Sequence, residues 1–325
     1  MIIVTGGAGF IGSAFVWKLN QEGFEDIVIV DHLGKKDKWK NLVNRRFAEY
    51  IHKDDFLNLI HQDHLPFAVT GIVHMGACSS TTERDADYLW HNNYAYTRSL
   101  ANWAIKRDIR FIYASSAATY GDGNQGFSDD HSKITSLRPI NMYGYSKQVF
   151  DLWSLRNSLT GKIAGIKFFN VYGPNEYHKE DMTSVIFKAF HQIKQTGSVK
   201  LFKSYKPEYQ DGGQLRDFVY VKDCVNSLWW LLEHPEINGI FNLGTGKARS
   251  WNDLIRAVFA AMGKEPNIEY IEMPQELRNQ YQYFTEAKMD KLKAAGCPVS
   301  FASLEESVND YVVNYLMKDD PYLGK

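Results

Sequence analysis

The chain has 325 residues, of which 44% are hydrophobic and 14% aromatic, so it can bury a substantial core and form two lobes. Its 37 Lys and Arg residues nearly balance 38 Asp and Glu residues, which excludes a global basic surface for nucleic acid or an anionic membrane. The cysteines Cys78, Cys224 and Cys297 form no CxxC pair, and no HExxH motif occurs, so neither a disulfide framework nor a metal site is expected.

No targeting or membrane segment is predicted. Strand-like residues begin at Ile2, which leaves no room for a signal peptide. No apolar run approaches the ~20 residues that span a bilayer. We therefore expect a soluble, cytoplasmic protein.

Short apolar segments alternate with amphipathic ones through the first half of the chain. The strand-like segments are IIVTG (2–6), IVIV (27–30), GIVHMGA (71–77), RFIYASS (110–116) and IAGIKFFNV (163–171). The helix-like segments are 10–23, 88–107 and 143–158. Continuous apolar strands that alternate with helices predict an α/β fold with a doubly wound parallel (Rossmann) sheet covered on both faces.

The rhythm changes after Val171. A helix is predicted over 183–195, strand-like residues occur in DFVYVKD (217–223) and GIFNLGTG (239–246), and another helix begins near Ser250. We expect residues 1–170 to form the dinucleotide-binding domain. Residues 171–325 should form mainly a smaller C-terminal α/β lobe, with some segments returning to the first domain.

The segment TGGAGFIG (5–12) predicts a dinucleotide site. It contains the pattern Gly7-x-Gly9-x-x-Gly12, follows a strand directly and opens an amphipathic helix, which is the context this motif requires. Glycine lets the backbone approach a pyrophosphate, and the helix N-terminus presents free N–H groups to that anion. Asp31 ends the next strand, roughly 20 residues on, where a carboxylate can bind an adenosine ribose.

The same region leaves the cofactor open. Asp31 alone favours NAD, because a carboxylate repels a 2′-phosphate. The basic run KKDKWK (35–40) follows at once, and Lys53 lies further on. Such a run is commonly a solvated face, but Lys38 or Lys53 could neutralise a 2′-phosphate. From the residues alone, NAD and NADP are equally supported.

The segment NMYGYSK predicts a catalytic pair. On a helix the i and i+4 positions share a face, so Tyr143 pairs with Lys147 and Tyr145 points elsewhere. An adjacent ammonium lowers the pKa of a tyrosine. Ser115 and Ser116 end the preceding strand at the sheet edge that binds ligands, where one hydroxyl could hold a substrate oxygen. The alternative is an ordinary aromatic–cation pair without a catalytic role. The position of Tyr143 and Lys147 within a nucleotide-binding fold favours catalysis.

Motifs along most of the chain resemble known proteins. Five motifs resemble the extended branch of the short-chain dehydrogenase/reductases: TGGAGFIG, SSAATYG (115–121), YGYSK (143–147), RDFVYVKD (216–223) and FNLGTG (241–246). Five segments resemble, more specifically, the ADP-L-glycero-D-manno-heptose 6-epimerase family: GACSSTTE (76–83), NNYAY (92–96), ASSAATYG (114–121), FNVYGPNEYHK (169–179) and QYQYFTEA (280–287). The resemblance implies a Rossmann domain with a nucleotide-sugar lobe and a triad of Ser116, Tyr143 and Lys147.

The resemblance also implies ligands and their residues. The cofactor is NADP, with NAD possible, held by Gly7, Gly9, Phe10, Ile11, Gly12, Asp31, His32, Lys38, Lys53, Met75, Gly76, Ala77, Cys78, Ser79, Asn92, Tyr143, Lys147, Val171 and Lys179. The substrate is ADP-heptose, held by Ser116, Asn170, Asp181, Lys188, Phe202, Lys203, Ser204, Arg216 and Tyr281. A homo-oligomer, a pentamer in this family, is implied as well; nucleic acid, membrane and metal are not.

Two of these roles can also be argued from chemistry. Inverting a carbinol carbon at C6 of the heptose requires transient oxidation to a ketone and hydride return to the opposite face. Turning the group moves its oxygen away from Tyr143, so a second proton-transfer residue is needed, and the family pattern assigns Lys179.

Read alone, YGPNEYHKED (172–181) is a polar loop with a solvated lysine. Arg216 could bind the substrate diphosphate, or form an internal ion pair with Asp217 or another acid.

Three other functions are alternatives to ADP-heptose 6-epimerisation. Related dehydratases carry an acidic pair after the Ser/Thr, whereas this chain has Ala117 and Ala118, which disfavours dehydration. A UDP-sugar 4-epimerase would share Ser116, Tyr143 and Lys147 but need not have Lys179. A catalytically inactive nucleotide-binding member is disfavoured by the intact triad. The 6-epimerase of ADP-heptose, an enzyme of lipopolysaccharide core biosynthesis, is the prediction.

Overall fold

A computed structural model describes residues 1–278 and 281–324 of the chain. The strands are β1 (Ile2–Thr5), β2 (Ile27–Asp31), β3 (Glu49–His52), β4 (Gly71–His74), β5 (Arg110–Ser116), β6 (Ala164–Phe168), β7 (Asn170–Tyr172), β8 (Val199–Phe202), β9 (Leu215–Arg216), β10 (Phe218–Tyr220), β11 (Gly239–Leu243), β12 (Arg249–Ser250) and β13 (Ile268–Ile271). The helices are α1 (Phe10–Gln21), α2 (Lys53–His61), α3 (Ala86–Leu89), α4 (Tyr96–Ile105), α5 (His131–Ile134), α6 (Met142–Arg156), α7 (Val185–Thr196), α8 (Val221–Glu233), α9 (Trp251–Ala261), α10 (Gln275–Arg278), α11 (Asp290–Ala294) and α12 (Leu304–Tyr311).

A seven-stranded parallel sheet forms the centre of the molecule, in the order β11-β6-β5-β4-β1-β2-β3. The strand order reverses beside β1, which pairs with β2 on one side and with β4 on the other. Open α/β sheets bind ligands outside the carboxyl ends of their strands at such a switch point. The predicted doubly wound α/β fold is confirmed.

Apolar layers cover both faces of the sheet. Ile3 and Val4 are fully buried on opposite faces of β1, since successive side chains of a strand alternate. The Val4 face packs under α1 and α8, where Phe15 belongs to the same apolar cluster. The Ile3 face packs under α2, α4 and α6, where Phe56 lies in the second cluster. Two covered faces explain why these strands read as continuous apolar runs.

Some predicted elements differ from the structure. The apolar run 163–171 is divided between β6, which belongs to the large sheet, and β7, which pairs with β10 outside it. In DFVYVKD only residues 218–220 are strand, and α8 begins at Val221. The sequence analysis missed β3 and α2, because the edge strand EYIH has exposed ends and shows no apolar alternation.

The second half of the chain contributes both to the large sheet and to a smaller layer. Strand β11 completes the large sheet beside β6, and α8 packs on α1. The smaller layer contains the parallel pair β8–β13 together with α7 and α9. No helix in the described part of the chain is both long enough and apolar enough to span a bilayer.

Candidate active site

A cleft of about 790 Å³ lies at the carboxyl ends of β1, β2, β4 and β5. Most residues predicted to bind the cofactor line this cavity: Gly9, Phe10, Ile11, Gly12, Asp31, His32, Lys38, Lys53, Met75, Gly76, Ala77, Cys78, Ser79, Asn92, Tyr143, Lys147, Val171 and Lys179. Ser116 and Asn170, predicted to contact substrate, line it too. We call this space the cofactor cavity.

The glycine-rich loop is tightly packed where β1 leads into α1. Gly6 has a φ of +66°, and a Cβ there would lie 2.6 Å from the backbone nitrogen of Gly76. A Cβ on Gly12 would lie 2.1 Å from the Gly6 carbonyl oxygen. Gly7 does not line the cavity, and a Cβ there would lie 2.8 Å from the Val4 carbonyl oxygen and 2.9 Å from the Ile29 side chain, so the loop packs closely on the sheet at this position. The loop therefore fits the cradle that a pyrophosphate requires.

Asp31 is buried and its carboxylate is already engaged. It accepts hydrogen bonds from the Ala8 nitrogen at 2.9 Å and from the His32 nitrogen at 2.7 Å. The Lys38 ammonium lies 2.5 Å from the same carboxylate. Lys53 pairs with Asp54 at 2.7 Å and also lines the cavity. The charge that would repel a 2′-phosphate is thus compensated within the pocket.

The end of β5 and the first turns of α6 bring the predicted triad together in one wall. Ser116, Tyr143 and Lys147 all line the cofactor cavity, and the Lys147 ammonium donates to the Ala114 carbonyl at 2.9 Å. Tyr145 is 58% exposed, which confirms that it points away from this face. The Asn141 side chain caps α6 by accepting from the Gly144 nitrogen at 2.7 Å, so the helix begins just before Tyr143.

Burial dominates the protonation of this wall. It lowers the pKa of Lys147 to about 8, against the opposing effects of Asp151 and Cys78. It raises the pKa of Tyr143, while the Ser116 hydroxyl acts in the opposite direction. The net shift in the pKa of Tyr143 is thus upward, opposite to the direction expected from the adjacent ammonium, because desolvation of the phenol is its largest cause.

Lys179 lies in a loop, residues 173–184, that approaches the cavity from the second half of the chain. Its ammonium sits 5.3 Å from the centroid of the Phe10 ring. Burial lowers the pKa of Lys179, and Glu176 opposes that shift. Lys179 is therefore a half-buried lysine in the cavity wall, and its loss of basicity is the property that a proton-transfer lysine needs.

One carboxylate, the C-terminal tail and two side chains of the first half of the chain hold this loop: the Asn41 amide donates to the Asn175 carbonyl at 3.1 Å, and the Asn175 amide donates to the Ser13 hydroxyl at 2.9 Å. Glu176 accepts hydrogen bonds from the Ser184 nitrogen and hydroxyl at 2.5 and 2.7 Å and from the Tyr311 hydroxyl at 2.9 Å. The Tyr177 hydroxyl donates to the Pro321 carbonyl at 2.6 Å. Asn175 has a φ of +77° and accepts from the Leu323 nitrogen at 3.0 Å. The loop is thus fixed by few side chains rather than by a strand or a long helix.

A second cavity, of about 750 Å³, lies among α7, β8, β13 and α9. Three residues predicted to bind substrate line it: Lys188, Phe202 and Tyr281. Val185 and Trp251 line both cavities, so the two spaces are neighbours. We call the second space the lobe cavity.

Arg216 lies beside the lobe cavity without forming its wall. Its guanidinium is 5.7 Å from the Trp251 ring and 5.4 Å from the Tyr281 ring, and it donates to the Leu215 carbonyl at 2.8 Å. The alternative ion pair with Asp217 does not form. The Asp217 carboxylate instead accepts from the Thr245 and Gly246 nitrogens at 2.7 and 2.9 Å.

Besides Arg216, three predicted substrate residues lie outside both cavities. Asp181 is exposed, and only its carbonyl is engaged, by Lys188 at 2.6 Å. Lys203 pairs with Glu272 at 2.8 Å. The Ser204 nitrogen donates to Asp211 at 2.7 Å, which closes the turn that follows β8. None of the three lines either cavity wall. Gln280, which begins the motif QYQYFTEA, lies outside the described residues.

Sequence reasoning missed several residues of the cofactor cavity. His178 lines it, and burial together with Lys38 and Lys179 lowers its pKa to about 4. Its position beside Lys179 was a usable signal. Trp251 and Val185 had no local signal, because only tertiary packing brings the starts of α7 and α9 to the sheet edge. Within residues 1–278 and 281–324, no three His, Cys, Asp or Glu side chains are grouped as metal ligands.

Comparison with known proteins identifies the family. The model of the NAD dependent epimerase/dehydratase family matches residues 2–244. An ADP-L-glycero-D-manno-heptose-6-epimerase of Nitratidesulfovibrio vulgaris (strain DP4) is 62% identical over 99% of this chain and 100% of its own length. The enzyme of that name from Fusobacterium nucleatum is 51% identical, with the same two coverages.

A solved structure agrees. The crystal structure of Helicobacter pylori ADP-L-glycero-D-manno-heptose-6-epimerase superposes with a TM-score of 0.80 at 27% identity, covering 96% of this chain and 95% of that one. The family resemblance read from the motifs is thereby confirmed, and a nicotinamide cofactor follows from the family. The chain belongs to the NAD dependent epimerase/dehydratase family and, within it, to the ADP-L-glycero-D-manno-heptose-6-epimerases.

Proposed function

We propose that the protein converts ADP-D-glycero-D-manno-heptose to ADP-L-glycero-D-manno-heptose, for lipopolysaccharide core biosynthesis. The observation that carries this proposal is the shared cavity: Tyr143 and Lys179 come from different elements and line the same space as the glycine-rich loop. One cavity then offers two proton-transfer groups beside a dinucleotide site. An inversion through a ketone needs that combination, and a simple oxidation does not.

The roles of the chain's own residues follow from this geometry. A bound nicotinamide supplies a hydride acceptor and donor for C6. Tyr143 exchanges the proton of the C6 oxygen in one orientation of that carbon, and Ser116 holds the oxygen. Lys147 carries positive charge beside Tyr143. Lys179, whose pKa is lowered by burial, exchanges the proton in the other orientation.

NADP is the cofactor we propose. Lys38 compensates Asp31 at 2.5 Å, and Lys53 and His32 line the same end of the cavity. Titration of the purified protein with each cofactor should give tighter binding of NADP than of NAD. Replacing Lys38 with Met should weaken NADP binding more than NAD binding. An equal loss for both cofactors, or tighter NAD binding in the unaltered protein, would contradict this preference.

The lobe cavity is the proposed site of the substrate nucleotide. It adjoins the cofactor cavity through Val185 and Trp251, and Arg216 stands between the Trp251 and Tyr281 rings, where a guanidinium can meet a diphosphate. Asp181, Lys203 and Ser204 could contact substrate only after a change of side-chain position.

Turnover on defined substrates tests the function. The protein is incubated with ADP-D-glycero-D-manno-heptose and, separately, with UDP-sugars, and sugar stereochemistry is followed by NMR. Inversion at C6 of the ADP-heptose alone is expected. Inversion at C4 of a UDP-sugar would instead indicate a 4-epimerase, and cofactor binding without turnover on either would indicate a catalytically inactive member.

Assembly and compartment belong to the same proposal. Tyr88, Trp90, Met142 and Tyr145 are large apolar side chains at least 41% exposed, on packed neighbouring segments, which favours a homo-oligomer. We propose the pentamer of the family, which light scattering on the purified protein would test. The three cysteines are free thiols, consistent with action in the reducing cytoplasm.

A further inference from the structure

A fully buried ion pair lies directly behind the strand-and-helix wall of the cofactor cavity. Asp151 of α6 and Lys167 of β6 are 2.5 Å apart, and both side chains are 0% exposed. Neither residue lines the cavity. Removing two charges from water is costly, so a buried pair without a function is readily replaced by apolar residues.

The pair connects the elements that carry the triad. Asp151 accepts from the Ser115 hydroxyl at 2.7 Å and from the Tyr113 hydroxyl at 2.9 Å, both on β5. Lys167 stands beside Ser115 in the parallel register of β5 and β6. Ser115 is the residue before Ser116. The carboxylate therefore fixes the carboxyl end of β5 against the helix that presents Tyr143 and Lys147.

Lys167 extends the network into the turn after β5. Its ammonium donates to the Thr119 hydroxyl at 2.7 Å, and that hydroxyl donates to the Ser116 carbonyl at 2.8 Å. The same ammonium lies 5.3 Å from the centroid of the Tyr120 ring. Ser116 is thus held from both sides, through Ser115 by Asp151 and through Thr119 by Lys167.

Asp151 also stands one helical turn after Lys147 on α6, and i and i+4 positions share a helix face. Lys147 is faced by His74 from β4, Cys78 from the following loop, Tyr143 from α6 and Asp151 itself. His74 is neutral near pH 7, because burial lowers its pKa to about 3. Burial raises the pKa of the Cys78 thiol. The carboxylate of Asp151 is the negative charge in this set.

We infer that Asp151 and Lys167 are positioning residues for the proposed epimerisation: they fix Ser116, Tyr143 and Lys147 relative to one another, with Asp151 one helical turn from Lys147. This role presupposes the function proposed above. It assigns to two residues outside the cavity an effect on the reaction itself and not only on folding.

The decisive variant is the double replacement Asp151→Asn with Lys167→Met. It removes both charges with little change of shape, and replacement of a complete buried pair is commonly neutral or stabilising. If the pair has a purely structural role, the double variant should therefore show near-normal turnover. A positioning pair predicts a folded protein with kcat for the C6 inversion reduced by about tenfold or more and KM changed less than about threefold, because the lobe cavity is untouched.

The pH profile of kcat supplies a second readout. Without the Asp151 carboxylate the pKa of Lys147 falls, so in Asp151→Asn activity should decline at an alkaline pH lower by about one unit, and in the double variant, which also loses the opposing charge of Lys167, by less. Lys167→Met keeps the Asp151 carboxylate and should not lower the alkaline pH at which kcat declines. Lys167→Arg, which keeps the charge, should retain the normal profile.

Asp223→Asn is the matched control, because Asp223 is also a buried carboxylate, accepts from the Ala302 nitrogen at 3.0 Å and lies on α8, away from the triad. It should lower the Tm without shifting the pH profile. If the double variant is folded and keeps both the kcat and the profile of the unaltered protein, the positioning role is wrong. If the unaltered protein itself fails to invert C6, the proposed function is wrong instead. Should Asp151→Asn alone not fold, the double variant carries the test.

Discussion

The cofactor cavity has two walls that are built in different ways. The strand wall consists of the end of β5 and the start of α6, and its backbone is fixed by a parallel ladder on both sides of β5 and by a capped helix. The loop wall, residues 173–184, carries Lys179 and has no strand or long helix of its own. Asn175 and Glu180 adopt positive φ values of +77° and +48°, which are uncommon for residues other than glycine.

The difference indicates which interactions hold the catalytic side chains of each wall in position. The strand wall obtains its geometry from regular backbone hydrogen bonds, supported from behind by the Asp151–Lys167 pair, so a single change of a cavity-lining side chain there should alter chemistry more than position. The loop wall depends on Glu176, Tyr177 and the C-terminal tail, so a change there should alter the position of Lys179 as well as its chemistry. Four experiments test this contrast.

The largest effect is expected from Tyr143→Phe on the strand wall. Loss of the phenolic proton-transfer group should reduce kcat by roughly 10³- to 10⁴-fold while cofactor binding, measured by fluorescence titration, stays within about threefold. Tyr145→Phe, two residues away and largely exposed, is the matched control and should stay within about twofold. Equal effects of the two replacements would show that the i, i+4 assignment is mistaken.

The next largest effect is expected from Lys179→Met on the loop wall. Removal of the second proton-transfer group should reduce kcat by roughly 10²- to 10³-fold, with NADP binding preserved. Lys40→Met removes an exposed lysine of a neighbouring loop that pairs with Asp37, and should have almost no effect. Near-normal inversion by Lys179→Met would exclude the two-base mechanism.

Glu176→Gln tests the anchor of the loop wall. The carboxylate accepts hydrogen bonds from the Ser184 nitrogen, the Ser184 hydroxyl and the Tyr311 hydroxyl. An amide would leave at least one of these buried donors unpaired, which should lower the free energy of unfolding by about 1–3 kcal/mol. We expect a lower Tm and a roughly tenfold lower kcat, because Lys179 loses its position.

The control for this anchor lies in the same loop. Glu180→Gln removes only an exposed ion pair with Lys36, which contributes little, so stability and kcat should be nearly unchanged. A Tm loss in Glu176→Gln with unaltered kcat would mean that the anchor serves stability alone and that the loop wall is stiffer than described.

The smallest effect concerns acid stability and separates the two walls through their histidines. His74 behind the strand wall and His178 in the loop wall have pKa values lowered to about 3 and about 4, against 6.5 in the unfolded chain. The folded state therefore binds fewer protons than the unfolded state below pH 6.5, and stability falls as pH decreases. Between pH 6.5 and 5 each histidine should cost roughly 2 kcal/mol.

Denaturant unfolding at several pH values measures this loss. His178→Gln should remove about half of the acid sensitivity, and His74→Gln the other half, although His74→Gln also disturbs the hydrogen bonds to Thr5 and Thr97. An unchanged acid sensitivity in both variants would show that carboxylates, and not these buried histidines, set the acid limit.

Much of the strand wall could be predicted from the sequence, and the reason is physical. The ends of parallel strands meet at one edge, so the glycine-rich loop, Asp31, Ser116 and the Tyr143–Lys147 pair converge once the strands are recognised. The pKa of Tyr143 could not be predicted, because it depends on burial that no local pattern expresses. Lys167 in the middle of an apolar strand and Asp151 one turn after Lys147 were signals of the buried pair, but their contact is tertiary.

The loop wall and the lobe cavity were predicted mainly through family resemblance. Lys179 reads as a solvated lysine in a polar loop, and only tertiary packing, with its ammonium beside the Phe10 ring, half-buries it. In the lobe cavity, Lys188, Phe202 and Tyr281 line the wall whereas Lys203 and Ser204 do not. Successive residues of a strand end face opposite sides, so a predicted run of contacts such as 202–204 cannot all point into one space.

The position of β11 has a consequence for biosynthesis. Strand β6 ends at Phe168, yet its outer neighbour is completed only at Leu243, so the nascent chain carries an unsatisfied sheet edge until the second half has left the ribosome. A fragment that stops at residue 170 would display that edge permanently. Such edges recruit other chains, so truncated products should aggregate, and chaperone dependence should be highest during synthesis of the segment between these two strands.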